Sequence, residues 1–332
     1  MLLLSNDKSV MKERILWIDL AKAIGIYLVV LGHSLQQEVP IEGNLRDFIY
    51  IFHMPLFFFL SGYLFNVREE NFLAFLKKSI YSLLVPYVFL NVVAFFLWLP
   101  IYLHGHYDLK LQIVRFLIGE SHSPAGPAWF LLCLFWVRLL AYFIKRSSLY
   151  VQVILILSCC ILAYYFPFRI YWCIDSAFIA FPFFMIGNYM KCIGLMSNKT
   201  SINILLSLIL FIVTIILSCI QGNTDVNYRI MGAYPLLYFP SALMGVLMIV
   251  CGCSFIRKSN ALIKTFASGS IIIMGLHGAF GSYIGFLLSM FFPMSITDHW
   301  FYPVLLCMVV MIVMYYPIIF LQNKCSKFIG GR

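Results

Sequence analysis

The 332-residue chain is 63% hydrophobic and 11% charged, against roughly 45–50% and about 25% in soluble domains. That balance leaves too little polar sequence to cover a water-facing surface, which excludes a soluble globular fold, a disordered chain and a disulfide scaffold. The net charge of +10 would ordinarily suggest nucleic acid, but no nucleic-acid-binding domain fits such a composition, so the basic excess needs another explanation.

Spanning a hydrocarbon core ~30 Å thick takes about 20 apolar helical residues. In chain order, runs of that kind are predicted at Ile15–Gln36, Phe48–Phe65, Ile80–Leu103, Ala128–Ile144, Val151–Pro167, Ala177–Met196, Ile202–Ile220, Tyr234–Cys253, Ser270–Phe292 and Trp300–Leu321. The fifth is short and rich in Cys and Tyr, so nine crossings are also compatible with the pattern. The longest connections are His104–Pro127 and Gln221–Ala233, and no internal repeat or low-complexity tract is visible. The expected fold is an all-α integral membrane protein of about ten helices, one polytopic domain over 1–332 with no soluble appendage. The first run exceeds the ~7–15 apolar residues of a signal-peptide core and no small-residue cleavage site follows it, so it reads as a retained helix.

Lysine and arginine set the orientation, because loops rich in them stay in the cytoplasm. Lys8, Lys12 and Arg14 precede the first run; Arg68, Lys77 and Lys78 follow the second; Lys145 and Arg146 the fourth; Lys191 and Lys199 the sixth; Arg257, Lys258 and Lys264 the eighth; Lys324, Lys327 and Arg332 the tenth. The alternate loops hold only Arg46, Lys110, Arg115, Arg169 and Arg229. Both termini are therefore expected in the cytoplasm, and most of the positive charge is an anchoring collar. The ten cysteines are scattered without metal-type pairing beyond Cys251-Gly252-Cys253, and they read as small packing hydrophobes with no metal assigned.

Ionisable groups inside the apolar runs are costly and so point to function. Asp19 and Lys22 lie three residues apart, acid first, and can pair on one helix face. Lys22 and His33, eleven residues apart, share that face across a rise of ~16 Å. A packing histidine with a snorkelling lysine is the plain alternative. The second run re-enters near Phe48, which puts His53 at a comparable outer depth, with Trp129 opening the fourth in that layer. His277 in the ninth run either lines a cavity or packs, and Arg138 in the fourth either stabilises developing charge or makes a structural pair. Glu120, His122, Asp175, Asp225 and Arg229 fall in loops, where they could contact a substrate, although exposed charges there are usually just solvated.

The segment Asp19-Leu20-Ala21-Lys22-Ala23-Ile24-Gly25, followed by Leu31-Gly32-His33, resembles the first-helix signature of the integral-membrane acyltransferases of acyltransferase family 3. The resemblance continues through Phe52-His53-Met54-Pro55-Leu56-Phe57-Phe58-Phe59-Leu60-Ser61-Gly62-Tyr63, which is similar to the second-helix motif of the fucose-type sugar acetylases. Lys77-Lys78 with Leu84-Val85-Pro86-Tyr87, Trp129-Phe130-Leu131, Phe181-Pro182-Phe183-Phe184 with Gly187, and Ser268 with His277 follow in the expected order, so it covers nearly the whole chain. Many relatives carry paired arginines of RxxR-like spacing where this chain has Lys77-Lys78-Ser79-Ile80, so phosphate contact would rest on lysines here.

The resemblance implies a membrane O-acyltransferase, most simply an O-acetyltransferase of the bacterial inner membrane, moving an acyl group from cytoplasmic acetyl-CoA to an extracytoplasmic glycan or lipid-linked sugar. His33 is the expected general base, since a neutral imidazole suits removal of a hydroxyl proton at physiological pH. Lys22, Asp19 and His53 complete the catalytic set, with His53 orienting the acceptor, stabilising the oxyanion or capping the helix before Pro55. Trp129, Arg138, His277 and Ser61 are the expected substrate contacts. Lys77, Lys78, Arg14 and Lys12 are the expected contacts to the donor's phosphates, unless they serve only as membrane anchors. The expected partners are membrane lipid, acyl-CoA and the glycan; nucleic acid is not among them, and a homo-oligomer is left open. No resident cofactor is implied. The competing reading is a proton-coupled transporter or exporter of a small solute or lipid-linked sugar, although the inverted repeats and interrupted helix pairs of such carriers are missing from the sequence.

Overall fold

Proline placement breaks two of the ten apolar runs into more than one piece. In the computed structural model, which describes residues 15–66, 71–193, 200–254, 258, 260–291 and 299–330, the first run is α1 (Leu16–Ser34), but the second is two helices, α2 (Pro40–Tyr50) and α3 (His53–Leu64). A helix that restarts at His53 puts Pro55 in its first turn, where the missing amide has no intrahelical partner to lose. The third run is longer than expected. It starts with α4 (Phe72–Ser79), passes through a π turn at Ile80–Leu84 and continues as α5 (Val85–His104). Pro86 removes the amide that would close the last α-type turn, and a one-turn widening absorbs the loss.

The His104–Pro127 connection is not a bare loop. It contains α6 (Leu109–Ile118), capped at its start by Asp108, whose Oδ1 accepts from the amides of Lys110 and Leu111, and closed by Gly119 at a left-handed φ of 77°. Then come α7 (Trp129–Ile144), α8 (Leu149–Tyr165), α9 (Ser176–Ile193) and α10 (Thr200–Gln221). A two-rung hairpin of β1 (Thr224–Asp225) and β2 (Ile230–Met231) leads to α11 (Pro235–Cys253), α12 (Ala261–Ser268), α13 (Ser270–Phe291) and α14 (Tyr302–Lys324).

Among the described residues, nine segments are long and apolar enough to cross a membrane, and α8, at 17 residues, is the shorter tenth. Its contacts show that it runs from one end of the bundle to the other. In its first turn Gln152 accepts from the Tyr189 hydroxyl (2.7 Å) near the end of α9. Just beyond its last turn the Phe166 carbonyl accepts from Arg229, beyond the far end of α10. Lys77, Lys78, Lys145, Arg146 and Lys191 gather at one end, while α6, the hairpin and the 166–175 segment gather at the other. The sixth run is described only to Ile193, so its expected end at Met196 lies outside the described residues.

The tightest crossing pairs α3 with α9. A Cβ on Gly62 would meet the Phe184 carbonyl oxygen at 1.8 Å, and one on Gly187 would meet that of Phe59 at 2.1 Å. Asn188 fastens the same crossing by donating to the carbonyls of Gly62 (3.1 Å) and Phe65 (3.0 Å). Small residues at such a crossing let backbones approach where no water drives them together. Gly62→Ala is accordingly expected to force the helices apart and destabilise the protein by about 3 kcal/mol or more. A thermal melt of the detergent-purified variant within about 2 °C of the parent would contradict this close-packing account.

Candidate active site

His33 stands in the last turn of α1 and is exposed, yet not to a flat surface. It opens onto a cavity of about 670 Å³, on the side of the bundle away from the lysine-rich end, walled by α1, α5, α6, the 122–127 loop, α13 and α14. That volume lies within the ~300–1,000 Å³ of small-molecule sites. His277 of α13 lines the same cavity, with its ring centroid 5.3 Å from that of His33.

The His277 Nδ1–H donates to the carbonyls of Ile273 (2.9 Å) and Met274 (3.2 Å). A carbonyl can only accept, so in the neutral ring the proton is on Nδ1 and Nε2 keeps its lone pair. His53 is fixed in the same way, its Nδ1–H donating to the Ile49 carbonyl at 3.0 Å. His53 is buried in the core and meets the site through Tyr50, whose ring lies 4.7 Å from that of His53 and 6.0 Å from that of His33. The Tyr50 hydroxyl is 3.5 Å from His33 Nδ1, at the outer limit for a hydrogen bond, and Arg46 covers the tyrosine ring at 4.1 Å.

The other expected site residues are spread along the bundle. Asp19 and Lys22 are half-buried near the start of α1, about 16 Å of helix from His33 in the case of Lys22. Trp129 is buried against Phe58, with ring centroids 6.5 Å apart, and Ser61 is half-buried on α3. Arg138 donates to the Ser82 hydroxyl (3.0 Å) at the π turn and lies over the Phe75 ring. Phe75 in turn stacks on Tyr142 at 4.5 Å, and Arg146 lies over Tyr142 at 5.1 Å. Lys77 is exposed and Lys78 half-buried on α4, beside that cluster. Lys12 and Arg14 lie outside the described residues. Of the expected set, the cavity wall brings together His33 and His277.

Several residues that the sequence reading set aside or did not weigh belong to the site. Gln112 and Arg115 of α6, Trp98 and Tyr102 of α5, and His122 line the cavity. The outer-loop charges are not merely solvated. Glu120 lies 3.5 Å from both Arg115 Nε and His122 Nδ1. Asp175 is fully buried, its Oδ2 bridging Arg169 Nη1 (3.2 Å) and Arg229 Nε (3.1 Å). Asp225 accepts from the amides of Asn227 (2.7 Å) and Tyr228 (3.2 Å) inside the hairpin loop. His122 lines the cavity, and the other charges tie the outer segments to one another instead of facing water singly.

The profile of the family described as "Acyltransferase domain" matches residues 15–318, which is nearly the whole chain. The chain belongs to acyltransferase family 3. A stretch of 138 residues is also 30% identical to the nodulation protein NolL of Sinorhizobium fredii (strain NBRC 101917 / NGR234), covering 39% of this chain and 35% of that protein. The chain thus spans about a third of the length of that curated relative. No solved structure matches it. Within this multi-pass bundle, the cavity holding the two imidazoles is where general acid–base groups and open space coincide.

Proposed function

We propose that this acyltransferase moves an acetyl group from cytoplasmic acetyl-CoA to a hydroxyl of a glycan or lipid-linked sugar at the outer face of the bacterial inner membrane. The observation that carries the reading is the His33–His277 pair, 5.3 Å apart on the wall of a cavity placed away from the lysine-rich end. Lysine-rich ends face the cytoplasm, so the cavity faces the opposite compartment, where a surface glycan would reach it. The donor would enter from the basic end, its phosphates near Lys77, Lys78 and the Arg138–Arg146 cluster, and its pantetheine arm would run along α1 past Lys22 towards His33. In this reading 1–332 acts as a single domain.

The step balances without a resident cofactor. His33 removes the proton from the acceptor hydroxyl as the oxygen attacks the thioester carbonyl carbon. The tetrahedral intermediate then expels the thiolate, breaking the C–S bond, and the imidazolium returns its proton to give CoA-SH and a sugar ester. His277, with Nε2 free to accept, helps orient the hydroxyl.

The test is transfer of radiolabel from [¹⁴C]acetyl-CoA to cell-surface polysaccharide in membranes carrying the protein. Alkali-labile label absent from control membranes is the expected result. Alkali-stable label would point to an amide, and no transfer at all would shift the weight to a carrier function; either would overturn the proposal.

A further inference from the structure

One wall of the cavity is aromatic. Trp98 and Tyr102, one turn apart on α5, stack nearly parallel with centroids 6.0 Å apart and planes 15° apart. Tyr107 leans on Tyr102 at 5.8 Å, and all three rings line the cavity. The facing strip of α13 has no side chains at Gly278 and Gly281. A Cβ there would meet only Trp98 Cζ2 at 3.8 Å and Val310 Cγ2 at 4.0 Å, respectively. The indole edge therefore lies close to Gly278, and the open slot of the cavity runs along the aromatic wall, not between the indole and the strip.

The polar groups around the slot are of a particular kind. Gln112 supplies an uncharged amide, and Arg115 supplies a guanidinium whose charge is already met by Glu120 at 3.5 Å. His122 shares the same carboxylate. Such a rim offers donors and acceptors but little surplus positive charge for a ligand carboxylate or phosphate. A hexopyranose matches both features, since its C–H face complements the electron-rich face of an aromatic ring and its rim is a set of hydroxyls.

Building on the acyl-transfer reading, we infer that this slot is the acceptor subsite and that it takes an uncharged hexopyranose, stacked on Trp98, with hydroxyls on Gln112 and Arg115 and one hydroxyl presented to His33 and His277. Glu120 then acts as a specificity residue, because it neutralises the arginine that would otherwise favour acidic sugars.

The experiment uses the full-length purified protein in detergent with [¹⁴C]acetyl-CoA and two matched acceptor sets, uncharged methyl hexosides and the corresponding methyl hexuronosides. Uncharged acceptors are expected to be preferred by at least about tenfold in kcat/KM. Trp98→Ala should raise the acceptor KM about tenfold, the loss of one aromatic contact, while the KM for acetyl-CoA holds, and Trp98→Phe should recover most of it. Glu120→Gln should narrow the preference by favouring the hexuronosides. Transfer to sugars without charge preference, or with a KM indifferent to Trp98→Ala, would overturn the subsite alone. Acetyl transfer to no sugar in either set would overturn the subsite together with the proposed function.

Discussion

Replacing His33 by alanine is expected to lower acyl transfer by 10²–10⁴-fold, the usual contribution of a positioned general base. The expectation rests on position: His33 is exposed within the cavity, while His53 is walled off behind Tyr50. His53→Ala should therefore act mainly on stability, with a smaller loss of kcat. His277→Ala should fall between the two, because its Nε2 is fixed toward the shared space but its Nδ1 is committed to two carbonyls. Single-turnover transfer from [¹⁴C]acetyl-CoA separates these cases, with protection of the melt by acetyl-CoA confirming that each variant still binds donor. If His33→Ala retained the parental single-turnover rate, the imidazole would not be the base.

The spans were legible because length and apolarity are one-dimensional signals. Eight of the ten predicted runs meet helices whose described ends fall close to the expected limits, and the other two, around Phe48 and Ile80, were altered by Pro55 and Pro86. Those prolines are visible in the sequence, but whether a proline kinks a helix, restarts it or induces a π turn depends on the neighbours that satisfy the freed carbonyls. His33 stands out in the sequence because lipid makes an intramembrane imidazole expensive, and the structure places it on the cavity wall. Its pairing with His277 was not legible there, because the two are 244 positions apart and nothing local records which helix faces which.

The outer wall shows a different kind of limit. Asp108 before Leu109 and Gly119 after Ile118 are ordinary start and stop signals for a helix, and Gln112 and Arg115 lie three apart on one face of it. That pattern was present in the His104–Pro127 connection and would have marked α6. A search for spans of about 20 apolar residues passes over a ten-residue helix, so Lys110 and Arg115 count there only as loop charges and Gln112 not at all. The glycines divide similarly. Gly62 and Gly187 serve a backbone crossing, whereas Gly278 and Gly281 clear space in the cavity, and only the neighbouring helix tells the two uses apart.

Asp175→Asn is expected to cost about 3 kcal/mol and to lower the melting temperature by roughly 5–10 °C. The carboxylate is fully buried and holds two guanidiniums, of which Arg229 is 11% and Arg169 37% exposed. Removing the charge while keeping the shape leaves one arginine almost desolvated without a counter-charge, and the half-exposed partner recovers part of the loss in water. The consequence reaches the site through the hairpin. Arg169 donates to the side chain of Asn227 at 2.7 Å, and the next residue, Tyr228, joins its hydroxyl to Ser121 (2.6 Å) and to His122 Nδ1 (3.1 Å) at the cavity mouth. Loosening the clamp should therefore raise the acceptor KM as well as lower stability, while donor binding, proposed for the lysine-rich end, should be spared. Differential scanning fluorimetry together with acceptor and donor titrations reads both effects. A variant that melted with the parent would show that Arg169 and Arg229 are held by the carbonyls of Asn227, Phe166 and Phe168 alone, with Asp175 dispensable to the clamp.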